Sequence, residues 1–390
     1  MSFERPYEGL KVVDLSQGLA GPYCGMLMAQ QGADVIKVEP QGGDWARLIG
    51  GVYGDHTAYS IVANMGKRAI SLNLKQAEGK AVADQLIRDA DVFIEGYRPG
   101  VAERLGFAYE MLAENNRGLI YISISGYGAS GPMRDRPAMD PMLQAFSGFV
   151  HENTGMDGIS RHTPVSYFDM ATGLYATQSL AGTLYARRDH DKGRKIEVSL
   201  MEGAGAIQAV RLLSGYRGGV RKASTAPSGT FQTEDGYIQI NIVRDPEFAK
   251  FCELLNLDEL WSQNKYHSIA GRLKEIDYLN DYVRDITKSW KAADLSALLS
   301  KAGLQNEVVQ SYAEFVEHPQ ASEMGVFTWL EQAGSDEPWP VPNLPGLPDF
   351  TVGEVLSQSP SVGQHTRSVL TELGYPETEI DRYYADGIVA

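Results

Sequence analysis

Hydrophobic and polar positions along the first 130 residues alternate between two rhythms. Short apolar runs rich in β-branched residues, at 10–15, 34–39, 91–95 and 119–125, read as buried strands. Between them lie stretches with helical spacing: 20–31, 77–90, in which Val82, Leu86 and Ala90 recur every four positions, and 101–115. Strands alternating with helices predict a parallel sheet covered by helices, and ligands of such sheets bind beyond the carboxyl ends of the strands. The loops at 16–22, 95–100 and 126–132 are therefore where a site is expected.

Farther along, 169–186 reads as a helix crowded with small side chains (Ala171, Gly173, Ala176, Ser179, Ala181, Gly182, Ala186), so it should pack closely against a neighbour. A strand at 195–199 and a helix from Met201 follow. The composition then turns to Gly, Ser, Thr and basic residues over 214–229, which reads as a linker. A hairpin around Asp235-Gly236, and helices to about residue 325, predict a second lobe. Five prolines within 338–348 read as an extended return linker, after which 361–389 is too short for a domain and should dock on the first lobe. The expected organisation is a large domain over 1–215, a smaller α+β domain over 230–325, and a C-terminal return over 340–390.

Composition narrows the functional classes. A length of 390 residues is more than twice a typical domain of roughly 150, and 43% hydrophobic with 22% charged residues is ordinary for a globular chain. The formal net charge of −15 argues against extended nucleic-acid binding, because it repels polyphosphate. The excess is uneven: residues 1–140 carry 14 basic and 17 acidic side chains, and the remainder carries 21 and 33. A phosphate-bearing ligand is therefore expected in the N-terminal third, among Lys67, Arg68, Lys75, Arg98, Arg104, Arg134 and Arg136. Cys24 and Cys252 are too few for a disulfide framework or a Cys-based zinc site, and the seven histidines lack metal-ligand spacing. The charged start has no signal-peptide core and no run approaches 18 apolar residues, so a cytoplasmic protein without membrane or nucleic-acid partners is expected.

The first strand runs into Ser16-Gln17-Gly18-Leu19-Ala20-Gly21-Pro22, and Glu39 closes the next strand about 20 residues on, as in a dinucleotide-binding unit. The glycine spacing (Gly18, Gly21, Gly25) departs from that motif, and Pro22 removes an amide donor, which argues against nicotinamide binding.

Several segments together carry a sharper resemblance. Gly9-Leu10-Lys11-Val12-Val13-Asp14-Leu15-Ser16, Gly32-Ala33-Asp34-Val35-Ile36-Lys37-Val38-Glu39-Pro40 and Gly66-Lys67-Arg68-Ala69-Ile70-Ser71-Leu72-Asn73-Leu74-Lys75 are followed in order by Arg98-Pro99-Gly100, Ser123-Ile124-Ser125-Gly126-Tyr127-Gly128, Gly131-Pro132, Arg136-Pro137, Gly363-Gln364-His365-Thr366 and Leu373-Gly374-Tyr375. This series resembles the family III CoA-transferases, the group that includes formyl-CoA transferase and carnitine CoA-transferase. The resemblance implies an α/β fold with a Rossmann-like large domain and a smaller α+β domain, in a homodimer whose two chains interlock as linked rings. It implies transfer of CoA (EC 2.8.3) from an acyl-CoA donor to a carboxylate acceptor, with CoA thioester as substrate and no permanently bound cofactor.

By the same resemblance the catalytic residue is Asp169, and the adenine and ribose-phosphate end of CoA lies along Gln17, Gly18, Leu72, Lys75, Tyr97, Arg98 and Arg104, with Arg136 in the next contacting segment. Taken alone, an aspartate at a helix start ordinarily caps it. As a nucleophile, a carboxylate with an ordinary pKa of about 3.9 is ionised at neutral pH and needs no general base. It would form an aspartyl-acyl anhydride and then an aspartyl-CoA thioester, with amide donors expected nearby for the developing oxyanion. The segment 215–229 could close over the site, although it lacks the long glycine run of formyl-CoA transferase.

The related α-methylacyl-CoA racemases share the fold and the aspartate, but they need a histidine base immediately before the position of Asp140. Met139 stands there, and a thioether cannot carry a proton to and from carbon. A further departure is Gly303-Leu304-Gln305-Asn306-Glu307-Val308, where many members have a Gly-Val-Pro segment. A racemase or isomerase, and a CoA-binding protein without turnover, stay as alternatives.

Overall fold

In the computed structural model, which describes residues 3–155, 158–190, 192–218 and 223–390, the chain divides into two compact units. They are Met1–Leu212 together with Glu323–Ala390, and Leu213–Ser322. In the first unit the elements run β1 (Lys11–Asp14), α1 (Ala20–Gln30), β2 (Asp34–Glu39), α2 (Ala58–Asn64), β3 (Arg68–Ser71), α3 (Ala77–Arg88), β4 (Val92–Glu95), α4 (Val101–Leu105), α5 (Tyr109–Asn115) and β5 (Ile120–Ser125). Then come α6 (Asp140–Phe146), α7 (Phe149–Glu152), α8 (Tyr167–Arg187), β6 (Lys195–Ser199) and α9 (Leu200–Ile207), while α10 (Ala209–Gly218) begins in the first unit and ends in the second.

All six strands pair in parallel, in the order β3-β2-β1-β4-β5-β6. Successive strand residues point to opposite faces, so Val13, Val38, Ile70 and Phe93 pack with α3 in one core, while Val12, Val35, Val92 and Ile94 pack with α1 and α8 in another. Burial on both faces explains why these strands read as continuous apolar runs.

The small side chains of α8 have specific neighbours. A Cβ on Gly173 would stand 2.7 Å from the Ala20 carbonyl oxygen of α1, and one on Gly203 of α9 would stand 2.4 Å from Thr172 Oγ1. Helices Thr366–Glu372 and Glu377–Ala385 place Val369, Leu370, Ile380 and Tyr383 in the α3-side core. The chain end then runs beside the loop after β3: Val389 bridges to Leu72, and the Asn73 amide donates to the Ile388 carbonyl at 2.8 Å.

The second unit holds an antiparallel sheet, β7 (Ser228–Gln232), β8 (Tyr237–Asn241) and β9 (Gln305–Val308), with the hairpin turn at Asp235-Gly236. Phe231, Ile238, Ile240, Phe248, Leu279 and Leu299 build its core. The departure from the family pattern at 303–308 falls on β9 and the turn before it, where Gly303 has φ +74°.

Three expectations change. The single helix over 101–115 is two, because Gly106 ends the first in a left-handed conformation (φ +90°) and lets Phe107 turn into the core. The expected linker over 214–229 begins as the end of α10 and finishes in β7; its positions 219–222 lie outside the described residues, and with them the middle of the segment proposed to close over the site. The proline-rich stretch is no plain linker: β11 (Trp339–Pro342) pairs antiparallel with β10 (Phe327–Leu330). A two-stranded ribbon has only edge strands, so Pro340 and Pro342 can leave their missing donors outward. Among the described residues no helix is long and apolar enough to cross a membrane, and no cluster of His, Cys, Asp and Glu could hold a metal ion.

Candidate active site

The strand order reverses between β1 and β4, and the loops that leave their carboxyl ends in opposite directions open a crevice. The β1 loop is pinned from below by buried charges. Asp14 pairs with Lys67 at 2.7 Å and Lys37 with Asp44 at 3.0 Å, all essentially excluded from solvent. Burial alone would raise the Asp14 carboxyl, but Lys67 and Lys37 outweigh it and hold it below its ordinary range; burial pushes the Lys67 ammonium down to about 8. Asp14 also accepts the Ser16 amide at 3.0 Å, Lys37 donates to the Ser16 carbonyl, and Asp44 accepts the Gly18 amide at 3.0 Å.

This network corrects part of the sequence reading. Lys67 belongs to the interior, and Arg68 pairs with Asp34 and Glu372, so neither is available to a phosphate. Glu39, placed where a ribose-binding acid would be, is held bidentately by Arg47 at 2.8 and 2.9 Å. Gly18 donates its amide within the protein; its left-handed φ of +84° and a Cβ position 2.4 Å from the Trp45 ring require glycine for the turn itself.

Two adjoining clefts share Gln17 and Tyr97 as a common wall. The larger, of about 670 Å³, is lined by Arg98, Arg136, Trp45, Tyr59, Met139 and Asp169 among others. The smaller, of about 360 Å³, is lined by Leu72 and Lys75 together with Val38, Pro40 and Leu105. Of the residues assigned to CoA by resemblance, Gly18 and Arg104 line neither cleft. Lys75, Arg98, Arg104 and Arg136 are exposed and make no ion pair among the described residues, in contrast to Lys67 and Arg68.

Asp169 lies in the first turn of α8, on the wall of the larger cleft. It does not cap that helix. The cap comes from Asp140 at the start of α6, whose Oδ2 accepts the amides of Phe168 at 2.6 Å and Asp169 at 3.0 Å. The Asp169 carboxylate accepts no hydrogen bond among the described residues. Burial, with the charge of Asp140 added, pushes its carboxyl up to about 7, so the ordinary carboxylate value assumed from sequence does not apply. The remaining amides of this turn are also engaged, Tyr167 with the Val165 carbonyl at 2.9 Å and Met170 with the Ser166 carbonyl at 3.1 Å. Amide donors near Asp169 are therefore present but already occupied, and an oxyanion needs donors from elsewhere.

Several residues of the site carried no signal read from the sequence. Gln144, fully buried, donates to Asp140 Oδ1 at 2.7 Å and holds the 163–165 segment; its only trace in the chain is the i, i+4 spacing to Asp140. His162 lines the larger cleft, and Tyr59 meets Ser166 Oγ at 3.1 Å. Met139 borders the same cleft, 47% exposed, in the place where a histidine would serve a racemase.

Comparison with known proteins places the chain in a family. The model for CoA-transferase family III matches residues 7–366. Acetyl-CoA:oxalate CoA-transferase of Acetobacter aceti is 34% identical over 81% of this chain and 84% of its own, and succinyl-CoA:glutarate CoA-transferase of Homo sapiens is 30% identical over 99% and 90%. A CaiB/BaiF family protein from Brucella suis superposes with a TM-score of 0.83 at 30% identity, covering 95% of this chain and all of that one. The chain belongs to the family III CoA-transferases.

Proposed function

We propose that the protein moves CoA from an acyl-CoA donor to a carboxylic acid acceptor, with Asp169 as the covalent carrier. The observation that carries this reading is a carboxylate without a hydrogen-bonding partner among the described residues, on the wall of a 670 Å³ cleft at the switch point of a parallel sheet, whose helix is capped by a different acid. A free carboxylate on a cleft wall can act on a ligand, whereas a capping one cannot. The relatives named as transferases of CoA between carboxylic acids support the same chemistry.

In the first step an oxygen of ionised Asp169 bonds to the thioester carbonyl carbon and the C–S bond breaks, giving an aspartyl-acyl anhydride and CoA thiolate. The thiolate then attacks the aspartyl carbonyl and the donor carboxylate leaves, so that CoA is held as an aspartyl thioester. The acceptor carboxylate reverses both steps. Because the carboxyl is raised to about 7, only about half of the free enzyme carries the nucleophile at pH 7.

For CoA, the smaller cleft with Leu72, Lys75, Gln17 and Tyr97 suits the adenine and ribose-phosphate end, and Arg98 and Arg136, unpaired among the described residues, suit the phosphates and the approach to Asp169. Arg104 would contribute as a nearby cation. Exposed Leu174, Tyr175 and Tyr185 on α8 and Ile207 on α9 support self-association as a homodimer; the interlocked arrangement and the cytoplasmic location rest on the family resemblance and the sequence alone.

Intact-mass measurement after mixing with a panel of acyl-CoAs, followed by hydroxylamine or borohydride treatment and peptide mapping, tests the reading. An adduct on Asp169 that Asp169→Ala lacks is expected; normal turnover by Asp169→Ala sinks the mechanism. The racemase alternative gains one point from His162 on the same cleft wall. Exchange of the α-proton with solvent deuterium, without acceptor acid and dependent on His162, would favour it.

A further inference from the structure

Gln144 is an unusual wall residue. It is 1% exposed, and its amide nitrogen donates to Asp140 Oδ1 at 2.7 Å, to the Thr163 carbonyl at 3.2 Å and to the Val165 carbonyl at 3.1 Å, while its oxygen accepts the Thr163 amide at 2.9 Å. A buried polar side chain so fully engaged is poorly suited to filling space, since an apolar residue of equal length would do so without the need for four partners. Its partners are the carboxylate that caps α8 and the segment that leads into α8. Asp140 is itself 2% exposed, and its second oxygen takes both amides that present Asp169 to the cleft.

We propose that Gln144 and Asp140 form a positioning relay for Asp169: Gln144 orients the Asp140 carboxylate, and Asp140 both fixes the first turn of α8 and sets a negative charge beside the nucleophile. The proposal rests on the reading of Asp169 as covalent carrier and adds what tunes it. Its energetic content follows from charge alone. When Asp169 is free and ionised, a second carboxylate, buried and bonded to the Asp169 backbone amide, stands close by, and the two charges repel. When Asp169 is joined to an acyl group or to CoA, its oxygen or its carbonyl carbon is bonded, the charge has left with the thiolate or the departing carboxylate, and the repulsion is gone. Asp140 therefore destabilises the empty, ionised carrier relative to both loaded states, which favours loading. The other titratable groups of the cleft wall are His162, Arg98, Arg134, Arg136, Tyr59 and Tyr97, and none of them neutralises Asp140 by an ion pair or hydrogen bond among the described residues.

The test follows the rate of adduct formation on Asp169 by intact mass in single turnovers from pH 5 to 9, with acetyl-CoA and succinyl-CoA as probes, for the wild type, Asp140→Asn and Gln144→Met. Wild-type loading is expected to rise about tenfold between pH 6 and pH 8. In Asp140→Asn, which keeps an oxygen to accept the two amides, the midpoint should fall by about one pH unit or more, so that this rise shrinks to about twofold or less. In Gln144→Met, of similar length but without hydrogen bonds, loading should slow by about tenfold or more while the concentration of acyl-CoA giving half-maximal rate changes by less than about twofold. A purely structural role would lower the melting temperature and leave the midpoint in place. A folded Asp140→Asn with the wild-type midpoint overturns the relay, as does Gln144→Met with the wild-type loading rate; should Asp140→Asn fail to fold, Gln144→Met decides. Absence of any adduct on wild-type Asp169 overturns the covalent reading and the relay together, whereas a wild-type adduct with unaltered variants overturns the relay alone.

Discussion

Asp169 shows how much a single residue can be read from sequence. Its place at a helix start was visible, and so was its alignment with a family nucleophile, but the two readings of that place could not be separated without Asp140. Twenty-nine positions upstream and on another helix, Asp140 accepts the first-turn amides of Phe168 and Asp169, the bonds that a capping side chain makes at the start of α8. The raised carboxyl has a consequence for stability as well as rate. The folded pKa of about 7 lies above the unfolded value of about 3.9, so the folded state holds the proton more tightly. The stability of the protein with respect to this group is greatest below about pH 4 and is lost as pH rises towards 7, by about 1.4 kcal/mol for each pH unit between the two values. Asp169→Asn, which cannot ionise, should therefore form no adduct, yet melt at a higher temperature than the wild type at pH 8 and at nearly the same temperature at pH 4. Calorimetry at the two pH values checks this, and an equal difference at both would refute it.

At the scale of elements, strands were the most legible because burial on both faces leaves apolar runs in the chain. The strand predicted at 34–39 and the one at 195–199 have the bounds that the structure gives them. What escaped was structure without an apolar rhythm. The strand β9 reads Gln-Asn-Glu-Val and is half exposed, and β11 contains two prolines. The small residues of α8 did announce a close neighbour, and the neighbour is α1. Gly173 is the critical contact, because a methyl group there would meet backbone, which cannot rotate away. Gly173→Ala should cost about 1–3 kcal/mol in stability, as overpacking does, and should slow Asp169 loading, since α8 must shift to relieve it. Urea unfolding with single-turnover loading measures both; a variant equal to the wild type in each would remove α1–α8 contact as a determinant of the site.

For the whole molecule, the acidic balance and the chain end bear on the same cleft. The net charge of −15 is compatible with an anionic ligand because the cations are sorted: Lys67 and Arg68 are tied into the fold, and Lys75, Arg98, Arg104 and Arg136 are left without ion-pair partners among the described residues. Sequence could count these residues but not sort them, since the partners of Lys67 and Arg68 lie as far away as Asp14 and Glu372. The same distance in sequence hides what supports the Leu72–Lys75 loop. Gly387 accepts from Gln41 at 2.6 Å, Ile388 accepts the Asn73 amide, Val389 bridges Leu72, and the Ala390 carbonyl accepts from Thr366 at 2.9 Å. None of these four residues touches the larger cleft, where Asp169 stands. Deleting 387–390 should therefore loosen the smaller cleft while sparing the chemistry. The expected result is a KM for acyl-CoA raised about tenfold, equivalent to about 1.4 kcal/mol of lost binding, with kcat changed by less than about twofold. Steady-state kinetics over a range of acyl-CoA concentrations gives the split. A fall in kcat at constant KM would instead mean that the chain end supports Asp169, and that CoA does not depend on the loop after β3.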